Sequence, residues 1–138
     1  MSAAGFALDP RLAADTRAVA SLPLCDLQLM DDARWPWLLL VPRRAGLVEI
    51  ADLPGDEQAL LWQEVNRAAA ALRTVAPCDK LNLGALGTIV RQLHVHVIAR
   101  VEGAAAWPGP VWGHGVRVAR AEEGAAALIA AVRHALTA

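Results

Sequence analysis

Two histidines, His94 and His96, stand two residues apart in RQLHVHVIAR, a run otherwise rich in aliphatic and β-branched residues. Side chains alternate between the faces of a strand, so Gln92, His94 and His96 point one way while Leu93, Val95 and Val97 point the other. One face packs a core. The other presents an amide and two imidazoles, spaced about 6.6–7 Å from one to the next by the strand rise. Three readings fit such a row. The histidines can decorate a half-exposed strand, since histidine is common at intermediate burial. A His-x-His pair can supply two ligands to a metal such as zinc, with His114, Cys78 or an aspartate as a third. The last is chemistry at phosphorus: neutral imidazole is a good nucleophile near neutral pH, and a second histidine can hold phosphate oxygens and stabilise developing charge.

Such a row needs a framework. LDPRLAADTRAVASL offers Asp9 as an N-cap and Pro10 at a first helical position, and reads as a short helix or helical turn. LPLCDLQLMDD and PWLLLVP read as two strands joined by a hairpin, and AGLVEI allows one more short strand. From about residue 52 to residue 74, Leu60, Leu61, Val65, Ala68, Ala69 and Leu72 recur with a helical period, behind the acidic first turn of Asp56 and Glu57. Strands follow near residues 80–83 and 93–99, separated by a turn bearing Gly84 and Gly87. WPGPVWGHG is a loop, and RAEEGAAALIAAVRHAL closes the chain as an alanine-rich helix. The expectation is an α+β fold: an antiparallel sheet of about five strands with a main helix and a C-terminal helix against one side.

Composition narrows the function more by exclusion than by indication. The 138 residues suit one domain, 1–138, and a chain that is 56% hydrophobic and 20% charged is able to bury a core. Thirteen basic and fourteen acidic residues are interspersed, for a net charge of −1, which gives no footprint of nucleic-acid or membrane binding. Cys25 and Cys78 form no CxxC pair and read as reduced thiols. With no signal-peptide pattern and no apolar stretch approaching the roughly 20 residues of a membrane span, the expected location is cytoplasmic.

QLHVHVIAR resembles the signature of the histidine triad family, in which three histidines alternate with hydrophobic residues. WLLLVPRR resembles that family's strand ending in a proline and basic residues; the main helix, DKLNLGALG and the signature follow in the family's order, and AWPGPVWG is similar to the tail of several members. The resemblance spans roughly residues 22–113. It implies a histidine triad fold, a homodimer, and attack on the α-phosphorus of a nucleotide ester, anhydride or phosphoramidate through a nucleotidyl-histidine intermediate. It requires no cofactor, while leaving room for a divalent cation.

Carried over by position, the resemblance makes His94 the nucleophile and His96 the phosphate-stabilising partner. Gln92 takes the first triad position as an orienting amide that cannot act as imidazolium does. Asn82, twelve residues before His94, matches a phosphate contact, and Thr88 in a shifted register matches a hydroxyl donor to the bridging oxygen; Ile89 cannot serve. Asp31 or Asp32 falls where members place a group against the ribose hydroxyls, with Leu29 and Met30 flanking the base. Trp37 replaces a histidine found in many members five residues before the proline, and offers an indole N–H and a large apolar face. Trp35, Trp107 and Trp112 read as loop anchors or dimer contacts, Arg43 and Arg44 as a solvated pair, and His114 as an exposed loop residue. Two rivals stay open: a nucleotide-binding sensor or interaction module without turnover, and a metal-dependent hydrolase using His94 and His96.

Overall fold

Asp9 starts the ordered architecture: its side chain accepts from the Arg11 amide at 2.9 Å, and Pro10 opens helix α1 (Pro10–Asp15). The computed structural model describes residues 2–137. After α1 come β1 (Thr16–Ser21), β2 (Cys25–Met30), β3 (Trp37–Pro42), α2 (Gly55–Val75), β4 (Lys80–Gly84), β5 (Val95–Arg100) and α3 (Glu122–Leu136). The sheet order is β1-β2-β3-β5-β4 with every neighbouring pair antiparallel. The expected α+β architecture of five strands and two principal helices is what the chain forms.

Two expectations from the sequence need correction. Thr16–Ser21 does not continue the helix; it leaves α1 directly as β1, with Thr16 and Val19 buried. Pairing with β2 outweighs the modest helical preference of this alanine-containing segment. AGLVEI, conversely, forms no strand. It turns at Gly46, where φ is +72°, buries Leu47 and ends in a single 3₁₀ turn at Ile50–Asp52. The two errors offset in the strand count.

Both faces of the sheet are covered, which is why β3 and β5 read as nearly continuous apolar runs. On one face Leu38, Leu40, Val95 and Val97 pack beneath α2 and α3, against Leu61, Val65 and Leu72. The other face carries Trp37, Leu39, Val41 and Ile98, under α1 and the loop that contains Val111 and Trp112. His96 belongs to this second face, since it is in register with Leu39. α3 closes the β1 edge, where Arg133 Nε donates to the Val19 carbonyl. Among the described residues, no helix is long and apolar enough to cross a membrane.

Candidate functional site

The two imidazoles lie at the start of β5, which begins at Val95, so His94 stands one residue ahead of the strand and His96 within it. Their ring centroids are 4.8 Å apart and the rings are inclined at 64°. Both side chains are largely buried, 7% and 5% exposed, yet both line a cleft of about 270 Å³ between α1, the 86–90 loop and Trp112.

Each ring has a defined partner at Nδ1. His94 Nδ1 lies 2.7 Å from the main-chain carbonyl of Gln92. A carbonyl only accepts, so this nitrogen carries a proton, and in the neutral ring Nε2 keeps its lone pair. On the neighbouring ring, Trp37 Nε1–H donates to His96 Nδ1 at 3.0 Å. Trp112 stands edge-on to both Trp37 and His96, at centroid distances of 6.5 and 5.4 Å.

Burial, reinforced by the nearby His94, pushes the His96 pKa down to about 3 from the ordinary 6.5. The unfolded chain therefore binds a proton that the native site refuses between those values. This contribution to stability is complete above about pH 6.5 and is lost as pH falls toward about 3, at up to about 1.4 kcal/mol per pH unit. Urea midpoints at about pH 7 and about pH 4.5 are expected to differ less in His96→Gln than in wild type, because only wild type has this group to titrate.

Trp112 reaches the site by crossing Gly84. A Cβ built at Gly84 would lie 3.1 Å from Trp112 Cη2, closer than ordinary contact. Gly84→Ala is expected to move the Trp112 indole N–H resonance and lower stability by about 1 kcal/mol. An unmoved resonance would show that the indole does not rest there.

Known proteins resemble this chain in fold and in sequence. Residues 11–103 match the family model described as the HIT domain. The chain belongs to the histidine triad family. Its fold is close to that of a histidine triad protein from Sinorhizobium meliloti 1021, at 47% identity and a TM-score of 0.94, covering 96% of this chain and 98% of that one. A histidine triad protein from Bradyrhizobium japonicum shares 46% identity with a TM-score of 0.92, over 95% of this chain and 98% of that one. A third, from Marinobacter aquaeolei VT8, shares 43% identity with a TM-score of 0.92, over 96% of each chain. No curated protein matches the chain.

Within this histidine triad domain the structure brings together five of the residues singled out in the sequence: His94, His96, Trp37 and Thr88 line one cleft, and so does Trp112, expected only as a loop anchor or dimer contact. Met30, expected beside the base, is there too. Other candidates are placed elsewhere. The Gln92 side chain turns to the N-terminal segment, where Oε1 accepts from the Asp9 amide and Nε2 donates to the Ala7 carbonyl, both at 2.8 Å. Its contact with His94 is through the main chain, because Gln92 precedes β5 and does not share the strand's alternation. Asn82 is a strand away from the cleft lining and accepts from Arg100 Nη1 at 2.7 Å. Asp31 Oδ1 accepts from the Arg120 amide at 2.8 Å, and Asp32 pairs with Arg34 at 2.8 Å. These aspartates hold the β2–β3 turn and the 117–120 segment instead of facing the cleft.

Several other expectations meet a definite environment. Arg43 and Arg44 are not a free solvated pair: they pair with Asp26 at 3.0 Å and Glu57 at 2.7 Å. Trp35 is a loop anchor, 2% exposed, and donates to the Ala105 carbonyl. His114 is an exposed loop residue packed edge-on to Trp35. Among the described residues, no group of three histidine, cysteine or carboxylate side chains could hold a metal ion, so neither His114 nor Cys78 completes the pair.

The cleft also contains Asp15 and Leu12, which the sequence did not connect with the histidines. They arrive because α1 ends at the cleft, a consequence of the helix-to-strand switch at Thr16. Arg100 is a further residue that the sequence motifs did not mark. It is 2% exposed and also donates to the Gly109 carbonyl at 2.8 Å, anchoring the loop that carries Trp112. Its sequence signal was weak but present: a basic residue on the same strand face as His96.

Proposed function

We propose that this protein is a nucleotide hydrolase or nucleotidyl transferase that attacks the α-phosphorus of a nucleoside phosphoramidate, dinucleoside polyphosphate or related conjugate. The observation that carries this reading is the 2.7 Å contact between His94 Nδ1 and the Gln92 carbonyl, which in the neutral ring leaves the Nε2 lone pair free beside a second imidazole. His94 Nε2 forms a bond to phosphorus while the bond to the leaving group breaks, its electron pair departing with that group, which takes a proton from solvent. Positive charge then grows on the imidazole, and the carbonyl at Nδ1–H is placed to stabilise it. Water attacks the phosphorus in the second step and gives up a proton to solvent, the N–P bond returns its pair to Nε2, and the nucleoside monophosphate leaves.

In this reading His96 donates to a phosphate oxygen and Thr88 to the bridging oxygen. The apolar part of the cleft, with Leu12, Met30 and Trp37, suits a nucleobase, and Asp15 suits ribose hydroxyls. Asp15 thereby takes the role first expected of Asp31. The protein works as a homodimer, for which β4 is the open edge of the sheet and Leu83 on it is 43% exposed.

A second reading, a nucleotide-binding module without turnover, is favoured by one observation. The Gln92 amide is occupied by Asp9 and Ala7, so the first triad position supplies no acid to the leaving group. Incubation with an adenosine phosphoramidate and with a diadenosine polyphosphate decides between them. Release of AMP supports the enzyme; saturable binding of both compounds with no AMP released sinks it for those substrates and leaves the binding module.

A further inference from the structure

We infer that Trp37 is a positioning residue that locks His96 as a neutral imidazole with its proton on Nε2, so that this ring serves the site as a fixed hydrogen-bond donor. The inference deepens the proposed mechanism and rests on it only for its consequence in catalysis. Its basis is the chemistry of an indole. Nε1–H donates and never accepts, and it lies 3.0 Å from His96 Nδ1. Nδ1 must therefore present its lone pair, which in a neutral ring puts the proton on Nε2. Protonating Nδ1 would set two N–H groups against each other in a place where water cannot intervene, since Trp37 and His96 are 6% and 5% exposed. A histidine at position 37 would not impose this, because imidazole accepts as readily as it donates.

The surroundings of His96 offer no competing ion partner on the strands. β3 presents Trp37 and Leu39, and Gly84 of β4 pairs with it. The loop presents Trp112, β5 and the residue before it contribute His94, and α1 contributes Asp15 at the exposed rim of the cleft. The result is a permanent neutral donor: His96 gives one N–H to a bound oxyanion at any pH at which the protein is folded.

Long-range ¹H–¹⁵N correlation spectra of wild type and Trp37→Phe, recorded from about pH 4 to about pH 8, test this without needing activity. In wild type, His96 should show an unprotonated Nδ1, a protonated Nε2 and no titration, with a scalar coupling across the Trp37 Nε1–His96 Nδ1 hydrogen bond. In Trp37→Phe, which removes the donor to Nδ1 and keeps the ring buried, His96 should populate both tautomers. Where a substrate is turned over, the variant should lose about tenfold in kcat/KM, because only part of the molecules then present the N–H at Nε2. A protonated His96 Nδ1 in wild type, or a tautomer unchanged by Trp37→Phe, overturns the inference. If Trp37→Phe does not fold, the coupling in wild type decides: its presence sustains the lock and its absence removes it. Failure of every nucleotide to react would count against the proposed function, while the spectra would still establish or remove the lock at Trp37.

Discussion

Replacing His94 by alanine is expected to abolish the covalent adduct and reduce nucleoside monophosphate release by about 10⁴-fold. The effect is large because an alanine leaves no nucleophile: His96 presents its proton-bearing nitrogen to the cleft, so it cannot substitute. Intact-mass measurement after an alkaline quench, which preserves a phosphorus–nitrogen bond, should show a nucleotidyl adduct on wild type and none on His94→Ala. Binding of the nucleotide should persist, because the apolar walls contributed by Leu12, Met30 and Trp37 are untouched. An adduct of undiminished yield on His94→Ala would place the nucleophile elsewhere. His94→Gln would refine the result, since an amide can restore a hydrogen bond without restoring nucleophilicity.

The largest effect on stability is expected at Glu64, far from the cleft. This α2 residue is 2% exposed, and its two carboxylate oxygens accept from the amides of Leu24 and Cys25, each at 2.8 Å. It fastens the start of β2 to the helix that covers the sheet. Glu64→Ala leaves two buried N–H groups without acceptors, a cost of about 3 kcal/mol, or about 10 °C in Tm for a chain of this size. Glu64→Gln keeps one acceptor but turns an NH₂ toward the other amide, and should lose about 2 kcal/mol. Thermal unfolding followed by circular dichroism checks both. A Glu64→Ala midpoint within about 2 °C of wild type would mean that water replaces the carboxylate at these amides.

These two residues differ in how visible they are in the sequence. His94 and His96 announce themselves because a strand alternates its faces, and alternation is a property of adjacent residues. Glu64 falls inside the helical stripe of Leu61, Val65 and Ala68, which marks it as buried, but its partners lie 40 and 39 residues back along the chain. No local pattern names them. Gln92 shows the same limit at close range: alternation placed its side chain beside the histidines, yet β5 starts only at Val95 and the side chain goes to the N-terminal segment.

Order along the chain was enough to specify the α+β class, the β2–β3 hairpin, the main and terminal helices and the imidazole pair. Hydrophobic period, caps and turn residues are short-range signals, and they survive in any consistent tertiary arrangement. Which polar atoms meet was settled by packing in three dimensions. Folding set the Trp37 indole on His96 across 59 residues, gave Asp31 to Arg120 across 89, and brought Asp15 into the cleft. A polar group buried by folding must take whichever partner the packed strands and loops bring within about 3 Å, and that choice is made by topology.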